Sequence, residues 1–234
     1  MNIEEYRNQT MGIMVSQSVF LNWVYGWMTS GLLITGVIAF WISSLPVQTL
    51  SKLMPMMTLF LIAEVVTVIA LSWGLRRLSV AMAVLLFFVY AALNGVTMSV
   101  IFLAYELGSV AKVFFITTAT FGAMSVVGYT TKRDLSGLGT FFMMGLIGLV
   151  IAGIVNIFWY SSKAEMAISV IGVLLFVGLT AYDTQKIKLM ALEYSDGNLD
   201  KATARKISII GALELYLDFV NMFLYLLRLM GRRR

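Results

Sequence analysis

The chain has 234 residues, of which 60% are hydrophobic and 12% charged, and its mean hydropathy is +0.89. Soluble domains are about half apolar and about a quarter charged, so this composition excludes an ordinary soluble protein and indicates an integral membrane protein. The sequence has no cysteine and no histidine, which excludes disulfides and thiolate metal sites and removes the usual zinc ligand and general base. The net charge of +5 comes from basic residues between apolar segments and in the tail, a pattern typical of topology signals and not of a nucleic-acid site.

A polar segment, residues 1–21, precedes the first apolar segment. It lacks the basic start and the small-residue cleavage site of a secretory signal, so the first apolar segment is expected to stay in the mature protein. A membrane-spanning helix needs about 20 mostly apolar residues. That template fits seven segments, of which the sixth is short and the seventh more polar: about 22–45, 53–75, 79–105, 110–130, 138–160, 166–183 and 206–230.

The connections between these segments are short, so neighbouring helices are expected to run antiparallel. The only long polar stretch, about 186–206, is predicted to be a loop. We therefore predict an all-α fold, with a single transmembrane domain of seven helices over 22–231 and a basic tail at 232–234. Small residues four apart permit close approach of helices in lipid, and three such pairs are expected at helix contacts: Ala91 with Gly95, Ala119 with Ala123, and Gly148 with Ala152.

Lysine and arginine are unevenly distributed between the two ends of the predicted helices. Ten lie on the side that holds the N-terminus and the connections after the second, fourth and sixth helices, whereas the opposite connections hold Lys52, Lys112 and Lys163. The positive-inside rule places the first side, with the N-terminus, in the cytoplasm. The tail arginines oppose this pattern if the seventh helix spans the membrane fully, because it then carries them outside. A re-entrant seventh helix would return them to the cytoplasm. We expect a spanning helix.

Several charged residues fall within the apolar segments, where an ionisable side chain is costly and indicates a functional site. They are Glu64, Asp183, Glu214, Asp218 and Arg228. Asp183 and Asp218 could approach each other in the inner half of the bundle, and two carboxylates that share a site do not both ionise freely. Such a pair would be a proton sensor in a chain without histidine. Glu214 precedes Asp218 by one helical turn and would add a carboxylate on the same face.

The spacing also predicts ion pairs between the second and seventh helices. Glu64 to Arg76 is about 18 Å of helix rise, at about 1.5 Å per residue. Asp218 to Arg228 is about 15 Å on the same basis. An antiparallel pair of helices can therefore bring Asp218 to Arg76 or Arg77 near the inner end. In the same register Glu64 meets Arg228 toward the outer end, which offsets the cost of unpaired charge in lipid.

The carboxylate oxygens of Asp183 and Asp218 are hard ligands of the kind that Ca²⁺ prefers. Two carboxylates fall short of the six to eight oxygens of a tight calcium site. The pattern therefore favours transient passage of Ca²⁺ over a stored ion, and no cofactor is expected.

Two other interpretations of these charges are open. The charges can form a static polar core that only fixes helix order, with Asp183 ending its helix in water and Arg228 snorkelling to the interface. Tyr182-Asp183 also resembles the Tyr-Asp motif of presenilin-like intramembrane proteases, but the Gly-x-Gly-Asp motif of that class is absent. The sequence likewise has no phosphate-binding glycine-rich loop and no serine nucleophile with a histidine base, so no enzymatic activity is expected.

Two stretches resemble the paired signature of the Bax inhibitor-1 family. They are residues 181–186, Ala-Tyr-Asp-Thr-Gln-Lys, and residues 215–223, Leu-Tyr-Leu-Asp-Phe-Val-Asn-Met-Phe. Supporting stretches occur in the same order at 24–28, 121–125 and 128–136. The resemblance covers about residues 20–231 and is to the bacterial inner-membrane branch of the family.

The resemblance implies a bundle in which the seventh helix is central and the other six surround it. It also implies a pH-sensitive aspartate pair that controls a calcium leak, and Asp183 and Asp218 match that pair. The family's gating arginine lies at the cytoplasmic end of the second helix, where this sequence has Arg76 and Arg77. On this hypothesis the ionised pair holds an arginine and keeps the inner mouth shut, and protonation weakens that latch.

Two further expectations come from the resemblance. Glu64 and Arg228 match family positions toward the outer side, which agrees with the register expected from spacing. Members of the bacterial branch are also implicated in restraining a membrane-bound protease. The alternative function is therefore a binding protein whose partners are membrane lipid and such a protease, without transport.

Overall fold

The computed structural model describes residues 3–74, 78–196 and 200–234, with side chains from residue 17 onward. The helices are α1 (Ile3–Ser43), α2 (Val47–Leu53), α3 (Met57–Gly74), α4 (Val80–Ala104), α5 (Leu107–Thr130), α6 (Gly139–Phe158), α7 (Ser162–Ser195) and α8 (Lys201–Met230). Short 3₁₀ turns, Met54–Met56 and Ser136–Leu138, lead into α3 and α6. No β-strand occurs in the described ranges, so the all-α prediction is confirmed.

Seven segments are long and apolar enough to cross a membrane, which confirms the predicted number. Five of them lie within single helices, one joins the 3₁₀ turn Ser136–Leu138 to α6, and one, Val47–Gly74, combines α2 and α3. The α8 segment is the most enclosed: in its most apolar 18-residue stretch, 61% is buried. The corresponding values are 6% for α2 with α3 and 11% for α6. This burial agrees with the central seventh helix that the family resemblance implies.

The prediction of a loop over 186–206 is wrong for most of that stretch. Helix α7 continues to Ser195, and α8 begins at Lys201. The polar residues of this stretch alternate with apolar residues at helical spacing, and Ile187 and Ala191, four apart, are both 1% exposed. An amphipathic helix therefore extends beyond the apolar part of α7, and Asp183 lies well inside the helix and does not end it.

Residues up to Ala104 and Ile187–Tyr216 form one compact unit. It contains α1 to α4, the last part of α7 and the first half of α8. Helix α1 packs closely against α4, because a Cβ atom on Gly95 would lie 2.8 Å from the Cβ of Ile38. A Cβ atom on Gly31 would likewise lie 2.8 Å from the ring of Phe87. Glycine at these positions lets the helices approach within backbone contact.

Tyr105–Lys186 and Leu217–Arg234 form a second unit, which contains α5, α6, most of α7 and the second half of α8. Its helix contacts also depend on glycine. A Cβ atom on Gly128 of α5 would lie against the carbonyl group of Ala181 in α7. Gly145 of α6 contacts Leu175, and Gly178 of α7 contacts Phe142. The sequence expectation of one domain over 22–231 stays a prediction.

The basic tail folds onto the second unit. Arg232 donates its main-chain N–H to the Ser109 hydroxyl (2.9 Å) and accepts the Glu106 N–H (3.0 Å). Its guanidinium lies 3.8 Å from the Glu106 carboxylate, and that of Arg233 lies 3.6 Å from Glu165. The tail therefore lies on the same side as the connections after α4 and α6. Because α8 is continuous over Lys201–Met230, these contacts agree with a spanning helix and not with a re-entrant one.

Candidate functional site

The two aspartates of the sequence prediction are both enclosed. Asp183 in α7 is 8% exposed and Asp218 in α8 is 4% exposed. Each aspartate lies inside a long helix whose neighbouring residues are largely buried, so the helix carries the carboxylate into the protein interior. Both aspartates belong to the second unit.

Helix register places the two aspartates at the same level. Helices α7 and α8 are joined by the short connection 196–200 and run antiparallel. The rings of Phe176 and Tyr225 stack with centroids 5.9 Å apart, and a Cβ atom on Gly172 would lie 2.6 Å from the Tyr225 ring. Asp183 and Asp218 each lie seven residues from this stacked pair, which is about two helical turns or about 10 Å, in the same direction. The register thus brings the pair to facing positions.

Two hydroxyl groups near this level have no hydrogen-bond partner in the part of the chain that the structure describes. They are Oγ1 of Thr184 and Oγ of Ser125, whose residues are 0% and 8% exposed. In helices such hydroxyls usually donate to the carbonyl four residues earlier, as Thr180 does to Phe176 at 2.7 Å. Thr184 follows Asp183 directly, and consecutive helical residues point about 100° apart, so this hydroxyl lies on the neighbouring face of α7.

Glu64 occupies a separate polar site in the first unit. It is 9% exposed and accepts two hydrogen bonds from α4. The Thr97 hydroxyl donates to Oε1 at 2.7 Å, and the Asn94 amide donates to Oε2 at 3.3 Å. Neutral donors therefore satisfy both oxygens of this carboxylate. The predicted ion pair with Arg228 stays a prediction.

The Glu64 site continues through Asn94 to α8 and α1. The Tyr216 hydroxyl lies 3.1 Å from Oδ1 of Asn94 and 2.6 Å from the Thr35 hydroxyl. The Thr35 hydroxyl also lies 2.8 Å from the Ala91 carbonyl. Two hydroxyl hydrogens serve these three contacts, so only two of them can be hydrogen bonds at one time. The result is a continuous polar chain through the interior of the first unit.

The other predicted residues are placed as follows. Glu214 is half-buried, one helical turn before Asp218 on α8. Arg228 is exposed, and its guanidinium lies over the Tyr225 ring, 5.4 Å from the centroid. The latch candidates Arg76 and Arg77 lie outside the described residues. Their pairing with Asp218 stays a prediction.

No cluster of three or more carboxylates that could hold a metal ion occurs among the described residues. Two carboxylates alone do not supply the six to eight oxygens of a resident calcium site. Asp183 and Asp218 can therefore offer a passing cation only a partial coordination shell, which water or hydroxyl oxygens would complete.

Sequence reasoning missed the neutral residues that hold these sites together. Gln185, which is 9% exposed, hydrogen bonds to the main chain on both sides of Asp134: it accepts the Leu135 N–H (2.7 Å) and donates to the Arg133 carbonyl (2.8 Å). Asn94 and Thr97, which bind Glu64, are three residues apart. That spacing on one face of an apolar helix was the available signal.

Two exposed aspartates lie outside the membrane-spanning segments. Hydrogen bonds from Ser136 hold the pKa of the Asp134 carboxyl below its usual range. Hydrogen bonds from the Thr203 side chain and main chain, and from the Ala202 main chain, lower the pKa of Asp200 in the same way. Both groups are therefore ionised at neutral and mildly acidic pH.

Seven apolar helices with carboxylates enclosed between them define a multi-pass helical membrane protein. The chain belongs to the Bax inhibitor-1 family, because the family model described as inhibitor of apoptosis-promoting Bax1 matches residues 17–234. It is 49% identical over 214 residues to inner membrane protein YbhL of Escherichia coli strain K12, with 90% of each chain covered. It is 43% identical over 217 residues to a protein of Deinococcus radiodurans, with 92% of this chain and 90% of the relative covered. A membrane protein of Streptococcus pyogenes serotype M3 is 42% identical over 171 residues, with coverage of 73% and 72%.

Proposed function

We propose that this protein is a pH-sensitive calcium leak channel of a bacterial inner membrane, and that Asp183 and Asp218 form its gate. The observation that carries the proposal is the register of α7 and α8. Two nearly buried carboxylates lie at the same level on antiparallel helices. A pair of this kind changes its charge when it takes up a proton, and charge in a low-dielectric interior alters helix packing strongly.

The chemistry of the neighbouring groups supports passage of a cation. Carboxylate and hydroxyl oxygens are hard donors suited to Ca²⁺. The unpartnered Thr184 hydroxyl, on the neighbouring face of α7, is a further oxygen of this kind. Glu214, one turn from Asp218, extends the row of carboxylates along α8. We expect Ca²⁺ to bind only transiently at Asp183 and Asp218, and the protein to act without catalysing a reaction.

In this mechanism the ionised pair holds Arg76 or Arg77, which follow α3 in the sequence, and keeps the inner mouth closed. Protonation of the pair removes the negative charge that attracts the guanidinium, so the latch weakens and Ca²⁺ leaks down its gradient. The leak is not expected to depend steeply on voltage, because α8 lacks the row of arginines of a voltage sensor.

The proposed location follows from the spans and from charge asymmetry. The E. coli relative is named as an inner membrane protein. The basic connections after the second, fourth and sixth spans and the N-terminus are assigned to the cytoplasm by the positive-inside rule. The tail and the connections after α4 and α6 then lie on the outer side.

The test is uptake of Ca²⁺ by dye-loaded liposomes that contain the purified protein, scanned from pH 5 to 8. The parent should show a leak above empty liposomes whose rate changes with pH. Asp183→Asn and Asp218→Asn should each remove most of that pH dependence, because an amide does not titrate. Asp200→Asn is the matched control, since this exposed aspartate stays ionised over the range and asparagine retains its hydrogen-bond acceptor.

Two results would contradict the proposal. One is a leak whose pH dependence survives both substitutions. The other is no leak above empty liposomes, which would favour the alternative that the protein binds and restrains a membrane protease. Copurification of a membrane protease that regains activity when the protein is removed would then support that alternative.

A further inference from the structure

The side chain of Gln185 joins α7 to the connection between α5 and α6. Its Oε1 accepts the main-chain N–H of Leu135 at 2.7 Å, and its Nε2 donates to the main-chain carbonyl of Arg133 at 2.8 Å. The identity of the two amide atoms follows from their partners, because a main-chain N–H only donates and a carbonyl only accepts. The side-chain amide therefore makes two hydrogen bonds to one main-chain segment, and we call this pair of bonds the clamp. Gln185 is 9% exposed.

The clamp belongs to a larger docking face on α7. Ala181 lies against Gly128 at the end of α5. Tyr182 lies with its hydroxyl against Gly139 at the start of α6, and its ring packs edge-on against Phe142 with centroids 5.8 Å apart. Together with Gln185, these residues fix α7 to the end of α5, to the connection and to the start of α6.

Asp183 lies on the opposite side of the helix from this docking face. It is two residues from both Ala181 and Gln185, and each residue turns the helix by about 100°. The direction of the Asp183 carboxylate is therefore set by how α7 is rotated against the α5–α6 hairpin. Gln185 adds two directional hydrogen bonds to the apolar contacts of that face, and these bonds restrict the rotation and axial position of α7.

We propose that Gln185 is the positioning residue of the gate: its clamp on residues 133–135 holds the rotation of α7 at which Asp183 meets Asp218, and so couples the cytoplasmic connection to the leak. The inference rests on the proposed function. Charged groups near the clamp are Lys132, Arg133 and Asp134 of the connection and Lys186 on α7. An amide does not titrate, so the clamp is a fixed reference while the aspartates change charge.

The experiment compares Gln185→Leu, Gln185→Glu and Gln17→Leu in the liposome assay, scanned from pH 4 to 8. Gln185→Leu removes both hydrogen bonds and is expected to move the midpoint of the leak profile by at least about half a pH unit, because the distance between the two aspartates changes. Gln17→Leu is the matched control, since Gln17 also loses a side-chain hydrogen bond, to Ser195 at 3.5 Å. Its profile should coincide with that of the parent.

Gln185→Glu provides a rescue within one variant. A protonated carboxyl group offers a hydroxyl donor and a carbonyl acceptor, which can replace the N–H donor and the carbonyl acceptor of the amide. An ionised carboxylate can only accept. The profile should therefore approach the parent at the acid end and Gln185→Leu at the neutral end. A merely structural role would lower the leak of Gln185→Leu by the same factor at every pH with an unchanged midpoint, and that result would overturn the proposal.

Tryptic cleavage after Lys132 and Arg133 in lipid nanodiscs checks the clamp without any flux. Cleavage should be faster in Gln185→Leu than in the parent and Gln17→Leu, and equal rates would overturn the clamp.

The two proposals fail in different ways. Unchanged Gln185 profiles beside an Asp183→Asn variant that has lost its pH dependence would refute this inference alone, whereas a parent without any leak would refute the proposed function and this inference with it.

Discussion

Neutral side chains satisfy the buried charge at Glu64. In hydrocarbon an unpaired carboxylate is costly, and here a hydroxyl and an amide from α4 take both oxygens. Charged residues within apolar segments stand out in a sequence, so Glu64, Asp183 and Asp218 could be found from composition alone. Asn94 and Thr97 share one helix face, but their hydrogen bonds to Glu64 could not be predicted, because neutral polar residues are common in membrane helices and the pairing depends on helix register.

Tyr216→Phe tests the polar chain around Glu64. The substitution removes a fully buried hydroxyl that lies within 3.1 Å of Asn94 and within 2.6 Å of Thr35. We expect it to lower the free energy of unfolding by about 0.5–1.5 kcal/mol, since Thr35 and Asn94 keep other partners. Denaturation in detergent micelles measures the change. Tyr25→Phe, at a half-buried position of α1, is the control, and equal effects of the two substitutions would contradict the assignment.

At the scale of helices, the sequence predicts the spans better than their ends and contacts. Of the small-residue pairs, only Ala91 with Gly95 packs against another helix as expected. Nothing lies within 4 Å of a Cβ on Gly148, and Gly128 makes the closest backbone approach in its place. Spacing alone shows that a helix could be approached closely, but which face another helix covers depends on tertiary packing. The extension of α7 was missed because its charged residues outweigh its buried apolar stripe in a hydropathy average.

Gly128→Ala tests the contact between α5 and α7. The new methyl group would meet the main chain of Ala181, which cannot move aside by rotation of a side chain. We expect a loss of about 1–3 kcal/mol in the free energy of unfolding. Gly122→Ala is a control on the same helix, because nothing lies within 4 Å of its Cβ position. It should be neutral or stabilising by up to about 1 kcal/mol through helix propensity, and a comparable loss at both positions would refute the contact.

Asp200 caps the start of α8. Its Oδ2 accepts the N–H groups of Ala202 (3.0 Å) and Thr203 (3.1 Å). Because the folded-state pKa is lowered, this stabilisation is present above the usual pKa of an aspartate and is lost as pH falls through the folded value. We expect Asp200→Ala to speed tryptic cleavage after Lys201 and Arg205 at pH 7, and Asp200→Asn to leave it nearly unchanged. Equal cleavage of the parent and both variants would show that the cap does not hold the helix start.

For the whole molecule, the ends of the helices that face the cytoplasm determine on which side the proposed gate lies. Seven spans place the N-terminus and the tail on opposite sides of a membrane. The fold class and the number of spans could be predicted from the sequence, because lipid requires long apolar helices whose backbone groups are satisfied within each helix. The enclosed seventh helix is what the resemblance to the family implies. The sequence also predicts a spanning α8 that carries the tail outside, but not the contacts of the tail with Glu106 and Glu165, because the charge rule alone favours the opposite side.

The chain has no cysteine, so single introduced cysteines report topology without background. In intact cells, Arg234→Cys should react with a membrane-impermeant maleimide, because the tail lies with the connections after α4 and α6. Asp134→Cys, between α5 and α6, should react only after the cells are lysed. The reverse pattern would invert the topology, and reaction of both residues from outside would contradict a spanning α8.

The pH profile of Ca²⁺ leak in liposomes, measured for the parent, Asp183→Asn, Asp218→Asn and the double variant, shows whether the two aspartates form the gate. If the two carboxylates act as one titrating pair, each single substitution removes the pH dependence and the double variant behaves like either single one, because coupled groups are not additive. Independent, additive changes from the two substitutions, or a parent leak no greater than that of empty liposomes, would contradict the account.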